Sequence, residues 1–316
     1  MTLTFLPMYR YILEPYSGQG SRIMCPKCRH RRDTFKRYID THTQTYLADH
    51  VGRCDRQEQC DYHYPPREYF ADNPGLAVVE SARPATPAVQ QAPQLLSWTL
   101  VEQTLRSYNR NNFVRFLAKL FGGTTANELV KRYCIGTASH WPGATIFWQL
   151  DYHDRARAGK VMLYNATTGK RVKEPYNHIT WVHTLLNAGN AKQCLFGEHL
   201  LATDPHKIVA LVESEKTAII GSAMEPNYIW LAASGLDGLN PNKCKVLQER
   251  EVRLYPDVNA YDKWQLKARE MNLRFPAANF SVYKPLTQSA TLNERSQGID
   301  IADRWIEQLT IKPKIS

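Results

Sequence analysis

No apolar run in these 316 residues approaches the roughly 20 that a bilayer-spanning helix needs. The opening stretch, MTLTFLPMYRYILEPY, is broken by Pro, Arg and Glu before a signal-peptide core can form. A cytoplasmic protein with no membrane role is therefore expected. A disulfide framework is also lacking, because the seven cysteines are odd in number and no secretion signal accompanies them. No internal repeat is found. Acid is scarce relative to base: 30 Asp and Glu stand against 40 Lys and Arg, leaving a formal net charge of +10. The pI of about 9.2 suits a polyanionic partner, whose phosphates usually dominate affinity. What remains is ordinary for a globular chain, with 43% hydrophobic and 22% charged residues and length enough for two or three domains.

Residues 71–96 have no aromatic residue and few charges, and are dominated by Ala, Pro and Gln. Such a stretch buries too little apolar surface to offset its ordering entropy, so it is expected to be a flexible linker. It separates a module at 1–70 from a middle α+β region at 97–204 and a third domain at 205–316. In the middle region Phe113, Phe116, Leu117 and Leu120 recur at helical spacing and Gly122-Gly123 ends the run. Thr125 and Glu128 have capping-box spacing for a second helix. Strands are expected at ATIFWQLDY (144–152) and KVMLYN (160–165), joined by an Arg-rich turn that holds Arg155 and Arg157.

From residue 207 strands and helices alternate. KIVALVE (207–213), NYIWLAAS, REVRLYPD (250–257) and NFSVYKPL read as strands, with helices at EKTAIIGSAM, YDKWQLKAREM and IADRWIEQL. The continuous apolar run of KIVALVE suits a strand buried on both faces, and the alternation gives a mainly parallel sheet flanked by helices.

Four cysteines crowd the N-terminal region. Cys25-Pro-Lys-Cys28 is a knuckle whose two sulfurs meet one tetrahedral Zn²⁺, and Cys54 and Cys60 supply the second half. His63, three residues after Cys60, and His50, four before Cys54, are alternative ligands. The segment is too small and polar to fold on hydrophobic burial alone, so a structural zinc is expected. Between the two halves, Lys27, Arg29, Arg31, Arg32, Lys36 and Arg37 interleave with Phe35 and Tyr38. That mixture suits phosphates and stacked, unpaired bases. Cys134, Cys194 and Cys244 stand singly and read as buried small hydrophobes.

The strand KIVALVE ends at Glu213 and the strand REVRLYP is followed by Asp257. Ligands of open α/β sheets bind beyond the carboxyl ends of the strands, so these two acids make a hard-oxygen site suited to Mg²⁺. Asn259 and Asp262 follow closely enough to complete it. Lys216, in the first turn of the next helix, is placed to meet a phosphate. Plain helix capping is the competing explanation for each residue alone.

On these residues the sequence resembles the Toprim family of primases, topoisomerases and nucleases. IVALVESEKTAII is similar to the first Toprim motif, and VRLYPDVNAYDKW to the second, a strand ending in Asp-x-Asp. The resemblance implies Mg²⁺ or Mn²⁺ held by Glu213 and Asp257, with Asn259 at the second Asp position and Ser214 where Toprim usually has Gly. SQGIDIAD, carrying Asp300 and Asp303, is similar to the acidic segment that often closes these domains. In the middle, RYCIG (132–136), ATIFWQL and CLFG (194–197) follow the order found in bacterial primases. With the cysteine module in front, the chain resembles zinc-and-Toprim primase-like proteins of bacterial mobile elements.

The resemblance implies a primer synthase that takes single-stranded DNA and nucleotide triphosphates and works with a helicase or mobilisation protein. The alternatives are a catalytically weak single-strand-binding accessory protein, which Asn259 favours, and a Toprim nuclease. A helicase-binding tail like those of replicative primases is not expected in the short stretch that follows the last strand.

Overall fold

The computed structural model describes residues 10–14, 20–30, 33–56, 60–74, 95–186, 191–235 and 238–311. The chain divides into two compact units, 1–89 and 90–316. Of the expected linker, residues 75–94 lie outside the described residues, and Ala71 and Asp72 belong to a helix.

The first unit is built from β1 (Tyr11–Leu13), β2 (Phe35–Asp40), β3 (Thr45–Tyr46), β4 (Gly52–Cys54), β5 (His63–Tyr64) and α1 (Pro66–Asp72). The strands run antiparallel in the order β1-β2-β4-β5, with β3 also on β2. Its innermost side chains are Cys25, Phe35, Cys54 and Cys60, with Ile23 and Tyr62 packed around them. Gly52 is required where β4 crosses β2, because a Cβ there would lie 2.1 Å from the Lys36 carbonyl oxygen. One aromatic ring among four thiols is a poor apolar core, so something besides hydrophobic burial must hold this sheet.

The second unit opens with α2 (Trp98–Thr104), α3 (Asn112–Phe121) and α4 (Gly123–Arg132). Asn111 is fully buried and caps α3. Its Oδ1 accepts from the Phe113 and Val114 amides and from Thr145 Oγ1, and its Nδ2 donates to the Gly136 carbonyl. The capping box expected at Thr125 and Glu128 does not form, because α4 already starts at Gly123 with Gly122 before it. A box of that kind forms instead at Thr291 and Glu294.

An antiparallel sheet follows: β6 (Ile135–Thr137), β7 (Thr145–Leu150), β8 (Ala156–Met162) and β9 (Ile179–Trp181), leading into α5 (Val182–Leu185). The last part alternates β10 (Val209–Val212), α6 (Glu215–Met224), β11 (Ile229–Ala232), α7 (Pro241–Cys244), β12 (Glu251–Tyr255), α8 (Tyr261–Arg274) and β13 (Asn279–Val282). It closes with α9 (Pro285–Ser289), α10 (Leu292–Gln297) and α11 (Ile301–Ile311). These four strands are all parallel, in the order β11-β10-β12-β13. The expected α/β class, with a β-rich N-terminal module and a C-terminal parallel sheet, is the observed architecture.

The period-2 geometry of β10 sorts its side chains into two cores. Val209 and Leu211 face one cluster with Leu254, Trp264 and Met271. Ala210 and Val212 face the other, with Trp230, Ile219 and Trp305. That second core continues through Tyr133, Phe147, Phe113 and Phe116, so it joins the antiparallel and parallel sheets. Tyr133 pins the junction: its ring stacks on Phe196 at 5.2 Å and its hydroxyl donates to the Trp230 carbonyl at 2.9 Å. Gly221 lets α6 lie flat on β11, since a Cβ there would meet the Trp230 ring at 2.5 Å. Each large apolar side chain so buried contributes about 1.5–3 kcal/mol.

Candidate metal centres and charged surfaces

The Cys25–Cys28 knuckle is a tight turn in which the Arg29 amide donates to the Cys25 carbonyl at 3.0 Å. Arg29 sits in the left-handed region at φ 45°. This conformation costs a non-glycine residue about 1–3 kcal/mol and persists where the surroundings dictate it. Cys54 arrives on β4, and Cys60 lies opposite the knuckle with its sulfur 3.6 Å from that of Cys25. The four sulfurs all lie within 4.8 Å of one another. A tetrahedral zinc–thiolate site needs sulfurs about 3.8 Å apart, so the set fits Zn²⁺ in kind and spacing. Burial pushes the Cys25 thiol up to about 12, whereas the backbone hydrogen bond from His30 draws Cys28 down to about 7. The alternative ligands are engaged elsewhere. His63 Nε2 lies 3.0 Å from the Tyr38 hydroxyl, and His50 stacks on Tyr64.

Three of the six cations in the basic segment between the knuckles hold carboxylates. Lys27 pairs with Asp61, Lys36 with Asp55 and Arg37 with Asp49, at 2.6, 2.6 and 2.8 Å. The Arg37 guanidinium also lies 3.4 Å over the Tyr46 ring. Phe35, expected to stack on bases, has no exposed surface and packs among the cysteines. Tyr38 faces His63 rather than standing free. Arg29 is exposed, and Arg31 and Arg32 lie outside the described residues. On the β7–β8 turn, Arg155 and Arg157 both hold Asp151 Oδ2, at 2.9 and 2.6 Å. That carboxylate is only 5% exposed and is shared by the two guanidinium groups, of which Arg155 stays half-exposed.

In the parallel sheet Val212 pairs with Tyr255, which brings Glu213 and Asp257 to the carboxyl ends of neighbouring strands. Asp300 and Asp303 join them from the start of α11. There they brace each other: the Asp303 amide donates to Asp300 Oδ1 at 2.9 Å and the Asp300 amide to Asp303 Oδ2 at 3.1 Å. Burial, with Asp300, Glu213 and Asp303 close by, pushes the Asp257 carboxyl up to about 8. Lys216 lies among these acids, its Nζ 2.9 Å from Asp303 Oδ1. Burial pulls its pKa down, but Asp300 and Asp303 outweigh that and leave it raised.

The acids fit a divalent ion in chemistry. In placement they differ from the thiols: among the described residues, the four cysteines alone form a group of three or more converged metal-ligand atoms. An ammonium already shares the carboxylate cluster. Asn259 serves another element, its Nδ2 donating to the Arg295 carbonyl at 2.7 Å near the end of α10. Asp262 is exposed in the first turn of α8, and the acids that act most on Asp257 are Asp300, Glu213 and Asp303. Ser214 stands in the extended region and caps α6, accepting from the Thr217 amide at 3.2 Å, so the position has no need of glycine. Beside it, Glu215 is buried and both its oxygens lie 3.1 Å from Lys160 Nζ on β8. Sequence reading missed this pair, because an acid in a first helical turn looks like ordinary capping.

Residues 9–75 match the model of a putative zinc beta-ribbon finger, and residues 111–258 match that of a domain of unknown function, DUF6371. The first unit is thus a zinc ribbon carrying a four-cysteine site. No curated protein matches the chain. Among solved structures, the chain is similar to the primase fragment of the bacteriophage T7 primase-helicase protein. The identity is 11% and the TM-score 0.40, over 88% of this chain and 98% of that one. It is also similar to the E. coli primase catalytic core, at 10% and 0.40, covering 67% and 82%. A third likeness is to the zinc-binding and RNA polymerase domains of Aquifex aeolicus primase, at 12% and 0.33, covering 95% and 85%. At such identities and overlaps the chemistry has to be argued from this chain's own residues. Among the described residues no helix is long and apolar enough to cross a membrane.

Proposed function

We propose that the protein is primase-like and acts on single-stranded DNA, joining nucleotides at the acidic end of its parallel sheet. The observation that carries this reading is the meeting of Glu213 and Asp257 at adjacent strand ends, with Asp300 and Asp303 beside them. Glu213 and Asp257 would hold Mg²⁺ or Mn²⁺, with Asp300 and Asp303 as further oxygen donors. A divalent ion there supplies charge neutralisation and orientation for phosphate oxygens. Lys216 would exchange its bond to Asp303 for a triphosphate oxygen, adding a second positive contact. Asp300 would keep α11 in register while its charge faces the site. The zinc ribbon and the net charge of +10 agree with a nucleic-acid partner.

The test is primer synthesis on a single-stranded template with labelled nucleotides and Mg²⁺ or Mn²⁺. Wild type should extend, and Glu213→Gln and Asp257→Asn should abolish extension while leaving the fold and strand binding intact. A second reading, of a catalytically weak single-strand-binding accessory protein, is favoured by the Lys216 ammonium within the cluster. It takes over if wild type binds single strands and makes no product at any metal concentration. A helicase or mobilisation protein is a fitting partner under either reading.

A further inference from the structure

We infer that single-stranded nucleic acid crosses the outer face of the antiparallel sheet, in a groove between α2, the N-terminus of α3 and α5. This rests on the reading that the protein handles single strands, and it moves the contact away from the zinc ribbon. The groove encloses about 890 Å³. Its rim carries Arg106, Arg110 and Arg115, all exposed. None of the three makes an ion pair with a described residue, and no Asp or Glu lines the groove. Among the described residues these three guanidinium groups make a single hydrogen bond, from Arg110 Nη2 to the uncharged Ser107 hydroxyl at 3.2 Å.

The contrast with the other candidate cations decides the matter. Lys27, Lys36, Arg37, Arg155 and Arg157 each already hold a carboxylate. A phosphate arriving there has to compete with an internal carboxylate, although Asp151 serves both Arg155 and Arg157, and Asp55 serves both Lys36 and Arg22. At the groove three guanidinium groups keep their full charge, and a backbone running along the rim gains contacts without breaking any.

The floor and one end supply what bases need. Leu185 and Leu186, both exposed, and the half-buried Leu100 give the groove an apolar side over the buried Ile146 and Val161. From His140, on the groove wall, a run of rings leads outward. Trp141 lies 4.4 Å from His140, His178 lies 5.1 Å from Trp141, and Tyr176 stacks on His178 at 4.4 Å and 19°. Tyr176 is 55% exposed although it rests on a buried histidine, so it offers one free aromatic face on a fixed base. Unpaired Arg groups beside an exposed, supported ring are the elements of a sequence-tolerant single-strand path.

The test uses the full chain and a fluorescein-labelled oligothymidylate of about 20 nucleotides. Replacing Arg106, Arg110 and Arg115 together with Glu should weaken binding about tenfold or more. It should also shallow the salt dependence by about 2 in log–log slope, as expected for three lost phosphate contacts on a single strand. The side chains are exposed, and an unchanged thermal melt checks the fold. Tyr176→Ala should cost about fivefold or more through lost stacking, whereas Lys36→Ala with Arg37→Ala should leave affinity within about twofold. Wild-type affinity and slope in the triple variant would overturn the assignment. The proposed function would then stand, and the groove would suit another anion, such as an acidic segment of a protein. Failure of wild type to bind the oligonucleotide would overturn both.

Discussion

The two candidate metal centres are opposites in how they handle their own charge. In the zinc ribbon four sulfurs converge within 4.8 Å, and the module has little other core. At the end of the parallel sheet Asp257, Asp300 and Asp303 lie close to an ammonium that the chain itself provides, beside two well-filled cores. The first centre is unfinished without an ion, and the second is closed by Lys216. A structural zinc is therefore expected to take part in folding the first unit, whereas the divalent ion proposed for the second would have to compete with Lys216.

Removing the zinc should have the largest effect. Structural zinc in small modules contributes on the order of 10 kcal/mol of folding free energy. Metal analysis should give about one zinc per chain. Cys25→Ser should lose it and open residues 10–73 to protease while residues 95–311 stay resistant. A zinc-free ribbon that resists protease as well as wild type would erase the contrast.

Lys216→Met comes next. It keeps the length of the side chain and removes the charge from the acidic cluster. In a metal-free buffer it should destabilise the second unit by about 1–3 kcal/mol. That is less than for a fully buried pair, because Asp303 is 38% exposed. Millimolar Mg²⁺ should restore the variant more than it stabilises wild type, as read by thermal melts. Equal stability of the two proteins without metal would show that the ammonium is no counterion.

Asn259→Asp should cost about 1 kcal/mol through the lost bond to the Arg295 carbonyl, with no gain in metal affinity. Asp300→Asn is its complement, since asparagine keeps the capping oxygen on α11 and removes a charge beside Asp257. It should weaken divalent binding with little change in stability. Tighter metal binding in Asn259→Asp would return Asn259 to the site.

The smallest effect belongs to a half-buried acid with a built-in partner. Glu294 is drawn from 4.5 down to about 2, first by the Arg304 guanidinium and then by the Thr291 amide. Because the folded-state value is depressed, this contribution is full above the ordinary 4.5 and fades as pH falls towards 2. The difference in melting temperature between wild type and Arg304→Ala should shrink across that window. A constant difference would assign the effect to packing.

The sequence reveals most where one physical rule acts alone. The cysteine pairs announce the ribbon because few other roles gather four thiols in so short and polar a stretch. The strand ending at Glu213 shows because a run buried on both faces is uniformly apolar, whereas the one before Asp257 alternates, with Glu251 exposed and Arg253 half-buried. What stayed hidden depends on partners distant in the chain. Lys27, Lys36 and Arg37 look like a polyanion surface until Asp61, Asp55 and Asp49 are found beside them. Phe35 looks like a stacking ring until its burial is known. Arg106, Arg110 and Arg115 attract no notice in one dimension, since a missing carboxylate is visible only in space. Lys216 reads as a phosphate ligand, and its bond to Asp303 spans 87 residues.

The core shared by the antiparallel and parallel sheets bears on how the second unit opens. Phe147 on β7 and Ala210 and Val212 on β10 belong to the same packed cluster, and the Tyr133 hydroxyl fastens α4 to β11. Peeling one sheet from the other would strip apolar surface from both and leave a buried hydroxyl and a carbonyl without partners. Slow amide exchange in β7 and β10 should therefore report a single opening reaction, with one protection energy and one response to denaturant. For the strand path and the acidic end of the sheet, the scaffold is then one body whose halves have no cheap way to part.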